Sequence, residues 1–178
     1  MHLDVENFYR VLAPRPVVLV STVDGEGRVN AAPFSFVMPV SMNPPLVAFA
    51  SGHDKDTLSN IRETKEFVVN IPPKEILENL WVCGNGFPRG VNEIEESGLA
   101  EEKSETVKAP RIKECIGWFE CKLESEVDVG DHIIVIGKII NAEVKDSLID
   151  ENGNLDIRAG NLMHIGGREF AICEKIWR

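Results

Sequence analysis

Residues 51–57, Ser51-Gly52-His53-Asp54-Lys55-Asp56-Thr57, place two hydroxyls, an ammonium and two carboxylates in one polar stretch. The stretch runs into Leu58–Lys65, a short helix with Leu58 and Ile61 on one face. Free N–H groups at the helix start, the Thr57 hydroxyl and the Lys55 ammonium together make a cradle for an anion such as phosphate. The same pattern also describes an ordinary helix capped by Asp54 or Asp56, with solvated charges. A second stretch, Asn30-Ala31-Ala32-Pro33-Phe34-Ser35-Phe36, suits a flat ring, because small residues and a proline let the ring approach backbone amides. It reads equally as a strand with a proline bulge at a sheet edge. Arg89, between Pro88 and Gly90, fits a clamp on a phosphate or carboxylate, or a solvated loop arginine. His132 follows a Gly-Asp turn, where it donates to a ligand, acts as an acid or bonds a neighbouring loop.

Several chemistries lack their residues. No GxGxxG follows a strand and no GxxxxGK[ST] is present, so neither a dinucleotide fingerprint nor a P-loop is expected. GxSxG and HExxH are absent too. His2, His53, His132 and His164 are far apart in sequence, and no metal site is expected. Cys83, Cys115, Cys121 and Cys173 form no CxxC pair and read as buried free thiols in a reducing compartment. Trp81, Trp118 and Trp177 read as packing or interface residues.

The elements that must position these residues are mostly strands. Val17–Val23, the turn Asp24-Gly25-Glu26-Gly27 and an extended Arg28–Phe36 form a hairpin. Leu46–Ala50 and Glu66–Ile71 are short buried strands, with a second helix expected over Lys74–Val82 and Ile76, Leu77 and Leu80 inward. Residues 84–114 read as loop and acidic irregular chain. Gly117–Val127 and His132–Val144 are long strands, and Met163–Cys173 closes the chain as a small hairpin. No regular βαβ alternation appears, which favours a small antiparallel barrel with helical insertions over a doubly wound sheet.

The 178 residues suit one domain spanning 1–178. Nineteen Lys and Arg against 29 Asp and Glu give a net charge of −10, which argues against nucleic-acid binding and against docking on anionic lipid. The acidic N-terminal stretch lacks the pattern of a signal peptide, and no apolar run is long enough to span a bilayer, so a cytoplasmic protein is expected.

The ordered set of motifs resembles the flavin reductase-like, FMN-binding split-barrel family that includes the flavoredoxins. Its pieces are Arg15–Asp24, Asn30–Ser35, Asn43–Val47, Lys55–Ile61, Glu66–Asn70, Pro88–Glu93, Glu120–Leu123 and Gly130-Asp131-His132. The resemblance covers roughly residues 5–145; the C-terminal hairpin adds little to it. It implies a mainly β, Greek-key split barrel with short helical insertions, homodimeric, with FMN held non-covalently near the subunit interface. It further implies that Ser35, Phe36 and Val37 present backbone amides to the flavin ring, on the segment that Asn30 opens. Ser51, Lys55, Asp56 and Thr57 would hold the phosphate end, Arg89 would reach in from the long loop, and His132 would stand near the ring as the one candidate catalytic residue. Two functions follow from the resemblance. One is an FMN-dependent oxidoreductase passing electrons from NADH or NADPH to flavin or another small acceptor. The other is a flavoredoxin-type carrier exchanging electrons with a redox partner protein.

Overall fold

The computed structural model describes residues 2–174; Trp177 lies outside them. Helix α1 (Phe8–Val11) leads into β1 (Arg15–Pro16), β2 (Val18–Val23), β3 (Val29–Phe34), β4 (Val37–Met42) and β5 (Pro45–Gly52). Helix α2 (Asp56–Thr64), β6 (Glu66–Ile71), α3 (Leu77–Cys83), α4 (Glu93–Glu96), β7 (Glu101–Glu102) and β8 (Arg111–Ile112) follow. The chain continues through β9 (Gly117–Asp128), β10 (His132–Val144), β11 (Leu162–Gly166) and β12 (Glu169–Ile172).

Seven strands form one antiparallel sheet in the order β3-β2-β6-β9-β10-β5-β4. Strands β3 and β4 stand at its opposite edges, yet only Ser35 and Phe36 connect them. So short a link spans roughly 10 Å. The sheet must therefore curl until its edges almost meet, and no ladder joins them. This is the expected Greek-key split barrel.

Period-two burial explains the apolar runs. Val18 and Val20 point inward with Phe49, Phe67, Val69, Ile133 and Val135, and α2 adds Leu58 and Ile61 to the same cluster. Val17, Leu19 and Val68 point outward and are covered by Ile76, Leu80, Ile94 and Ile112. Strand β2 is thus buried on both faces, so its first half, Val18–Val20, is continuously apolar rather than alternating.

Two expectations are corrected. Val37–Met42 is a strand that the sequence reading did not assign; Pro39 is tolerated there because β4 is an edge strand pairing only with β5. Residues 84–114 are not simply irregular, since they carry α4, β7 and β8 and bury Ile94, Leu99, Ala109 and Ile112 against the sheet.

Beneath that segment lies an ion pair between Arg111 and Glu120, whose side chains are 3% and 0% exposed. Arg111 Nε donates to Glu120 at 2.8 Å and Nη1 donates to Glu143 at 2.7 Å. Burial pushes the Glu120 carboxyl up, but the Thr106 hydroxyl, the Glu105 and Thr106 amides and Arg111 outweigh it and hold it at about 2.

Gly137 sits at a bulge in β10 where a Cβ would overlap the Phe67 ring and come within 3.2 Å of Cys121 Cβ. Gly137→Ala is therefore expected to cost about 1–3 kcal/mol by overpacking the barrel interior. Urea unfolding checks this, and an unchanged midpoint would show that the Phe67 ring has room to move.

Candidate functional site

The polar stretch after β5 leads into α2 without a side-chain cap. Lys55 is the N-cap residue and makes no capping hydrogen bond, so neither Asp54 nor Asp56 caps the helix as one reading of the sequence held. The first intrahelical donor is Ser59, bonded to the Lys55 carbonyl. The Asp56, Thr57 and Leu58 amides therefore have no acceptor among the described residues. His53 Nε2 lies 2.7 Å from the Gly130 carbonyl and ties this loop to the β9–β10 turn.

Thr57 is 2% exposed and its hydroxyl accepts from Asn30 Nδ2 at 3.0 Å. Its own proton is left free to donate to a ligand. Asn30 is steadied by Thr22 Oγ1 at 3.4 Å, which also accepts from Asn60. Asn30 and Thr57 wall a polar cavity of about 260 Å³, together with Lys55, Asp56 and the Gly84–Gly86 turn. Arg89 Nη1 stands 3.7 Å from Asp56 Oδ1, a half-exposed pair that adds little stability but keeps the guanidinium beside the cavity.

Glu93 also lines this cavity, and the sequence reading gave it no role. Its carboxylate accepts from the Ala31 amide at 2.9 Å, across the first β-hairpin, and the residue is 7% exposed. Burial pushes its carboxyl up against the opposing pull of the Ala31 amide, and Asp56 adds to the rise. That direction favours the neutral form, which is the form compatible with an anion next to it. The Pro88–Glu93 motif was the available signal.

A second compartment of about 270 Å³ shares Pro33, Phe34, Gly84 and Asn85 with the first. Trp81, His164 and Phe170 form its aromatic wall, with the His164 and Phe170 ring centroids 5.2 Å apart and the Trp81 and Phe170 centroids 6.3 Å apart. Ser35 stands at its edge, and its hydroxyl lies 3.3 Å from His164 Nδ1. Arg15 Nη2 lies 3.3 Å from the same nitrogen. Arginine can only donate, so Nδ1 accepts, and the ring proton sits on Nε2 facing the Gly167 carbonyl at 3.2 Å. Neither the Ser35 nor the Phe36 amide has an acceptor among the described residues.

A third, strongly apolar compartment of about 350 Å³ opens on the other side of Ser35, lined by Phe36, Val37, Met38 and the N-terminal Phe8 and Tyr9. The structure thus brings Asn30, Lys55, Asp56 and Thr57 around one cavity with Arg89 beside it. Ser35 becomes a wall between two compartments, and Phe36 and Val37 line the third. Ser51 is buried and gives its hydroxyl to the Gly52 carbonyl at 3.1 Å, outside all three. His132 lies behind Phe36, with ring centroids 5.8 Å apart and Nδ1 at 2.9 Å from Asp131. The C-terminal hairpin, which carried no candidate, supplies His164 and Phe170.

Of the thiols, Cys83 lines the polar cavity, where its Sγ–H donates to the Glu93 carbonyl at 3.5 Å. Cys83, Cys115 and Cys121 are buried and burial pushes all three up, whereas Cys173 is exposed, against the expectation that all four are buried. Cys173 follows the last strand, where nothing described covers it. Among the described residues no group of His, Cys, Asp and Glu could hold a metal ion, and no helix is long and apolar enough to cross a membrane.

A family model described as a flavin reductase like domain matches residues 9–168. An uncharacterised protein of Aquifex aeolicus is 43% identical over 151 residues, covering 82% of this chain and 77% of the relative. Nitrilotriacetate monooxygenase component B from Bacillus cereus superposes with a TM-score of 0.90 at 27% identity, covering 99% of this chain and 95% of that one. The flavoredoxin of Desulfovibrio vulgaris (Miyazaki F) shares the fold, with a TM-score of 0.87 at 24% identity over 100% of this chain and 96% of the other.

Proposed function

The chain belongs to the flavin reductase-like domain family, and from that premise we propose that it is an oxidoreductase working through non-covalently bound FMN, with NADH or NADPH as donor and a small molecule as acceptor. One observation carries the cofactor reading. A polar cavity with uncapped helix amides and a free hydroxyl runs into an aromatic compartment that ends at Ser35, whose amide, like that of Phe36 after it, has no acceptor among the described residues. A phosphate at one end and a flat polar-edged ring at the other match that sequence of surroundings.

FMN supplies the hydride and electron chemistry when bound. The chain's residues do the rest. Thr57, Lys55 and the first amides of α2 bind the phosphate, and Asn30 fixes the Thr57 hydroxyl. Arg89 adds charge from the loop. Ser35 and Phe36 offer amides to the polar edge of the ring, and Trp81 and Phe170 shield its face from water. His132, packed on Phe36, governs access to the ring. A second copy of the chain is part of this reading, because Phe8, Met38 and Met42 are 62%, 55% and 96% exposed on the N-terminal segment and the β4 edge.

The alternative is a flavoredoxin-type carrier, favoured by the net charge of −10, which suits a basic redox partner. Anaerobic stopped-flow mixing of FMN-loaded protein with NADH or NADPH separates the two. Rapid bleaching by either nucleotide is expected; no bleaching, beside rapid reduction by a reduced ferredoxin-type donor, would establish the carrier instead. His132→Ala is expected to change the reduction rate with the fold intact by circular dichroism. Unchanged kinetics would reduce His132 to a structural residue.

A further inference from the structure

Among the acids that line the polar cavity, only Glu93 is buried. Asp54 and Asp56 line it as well, with Lys55 as the single cation among the lining residues. Asp54 is exposed and screened by water, and Asp56 is half-buried beside Arg89. Glu93 has neither relief: it is 7% exposed, and no cation pairs with it among the described residues. Its donors are the Ala31 amide, at 2.9 Å from Oε2, and its own amide, so Oε1 accepts from no other described residue. From α3, Cys83 packs on the Glu93 carbonyl, and burial pushes that thiol up and keeps it neutral. An oxyanion drawn in by Lys55, Thr57 and the α2 amides therefore meets a carboxyl whose ionised form repels it across a poorly hydrated wall. Protonated, the same carboxyl becomes a donor, and its O–H forms a short, charge-assisted hydrogen bond to a phosphate oxygen.

We propose that this cavity takes a phosphate monoester together with one proton, which Glu93 carries and donates from Oε1 to a phosphate oxygen. The proton comes from water, so the solution loses one hydrogen ion for each ligand bound. The inference rests on the phosphate end of FMN lying in this cavity, and it makes retention of the cofactor depend on pH. Above the pH at which Glu93 ionises in the free protein, the ligand must pull in a proton, and affinity falls as pH rises. Below that pH Glu93 is already neutral and the dependence disappears.

Calorimetric titration of stripped protein with FMN, in two buffers of different ionisation enthalpy, counts the protons. Riboflavin, the same ring without phosphate, is the reference ligand. Glu93→Gln is the test variant, because its amide oxygen keeps the bond to Ala31 and its N–H donates without titrating. Across about pH 6 to 9, the parent is expected to take up as much as about one more proton per FMN than the variant. Its FMN affinity should fall relative to the variant by up to about tenfold per pH unit. The phosphate's own titration is common to both proteins, so the difference belongs to Glu93. Equal proton counts in parent and variant overturn the proposal, and so does equal uptake with riboflavin. A variant that loses the same factor of affinity at every pH also overturns it and leaves Glu93 as an anchor for Ala31. If the variant does not fold, the parent decides alone at about pH 8, where a phosphate with its second pKa near 6 has no proton to release. Uptake with FMN but not with riboflavin then supports the proposal, and no uptake overturns it. A parent that binds no FMN would remove the cofactor reading and this inference with it, a result distinct from binding without proton exchange.

Discussion

Arg111→Met is expected to destabilise the protein by about 3–5 kcal/mol, because it strands the Glu120 carboxylate in a site with no solvent. In thermal unfolding this corresponds to a loss on the order of 10 °C for a chain of this length. The pair's value lies in its completeness, since Glu120 collects two amides, a hydroxyl and the guanidinium, all within 2.9 Å. Acid should expose the same dependence. Glu120 is depressed from 4.5 to about 2, so its contribution is present above pH about 4.5 and is lost as pH falls toward 2. Without Arg111 the depression is smaller, so the gap between parent and variant should narrow over that interval. A variant within 1 kcal/mol of the parent at neutral pH would mean that water replaces the guanidinium and that the segment 103–112 is held by its apolar contacts alone.

The second large effect falls on the cofactor. Lys55→Ala combined with Thr57→Ala is expected to weaken FMN retention more than tenfold, through loss of charge-assisted hydrogen bonds of about 1.5–3 kcal/mol. Fluorescence titration of stripped protein with FMN measures it. Thr57 is the more informative half: its hydroxyl already accepts from Asn30, so its donor direction is set before any ligand arrives. Removing it also leaves Asn30 Nδ2 with only the 3.4 Å contact to Thr22. A double variant that purifies as yellow as its parent would move the phosphate elsewhere.

How much of this was legible depended on sequence separation. The β2–β3 hairpin and α2 announced themselves because their signals are local: a continuous apolar run, Asp-Gly turn chemistry and a polar stretch before a helix. Strand β4 was not legible, because Pro39 reads as a break and only the curled sheet shows that Val37–Met42 is an edge. The cradle residues Asn30 and Thr57 were both picked out, but their hydrogen bond depends on how two strands and a helix meet. Glu93 reaches back 62 positions to the Ala31 amide, and no spacing rule finds that. His164 and Phe170 were missed for the same reason: a short hairpin near the end of the chain gains meaning only once it folds over Trp81 and Ser35.

The two-residue link between β3 and β4 has a consequence for how such a protein can diversify. Loops are ordinarily where chains accept insertions and new ligand preferences arise. Here the link is the gauge that sets the girth of the barrel, and each added residue would let the edges part by up to about 3.5 Å. It would also carry the Ser35 and Phe36 amides away from any ligand they meet. New specificities must therefore arise from what borders the link, namely Arg15, Trp81 and the β11–β12 hairpin, while its length stays locked.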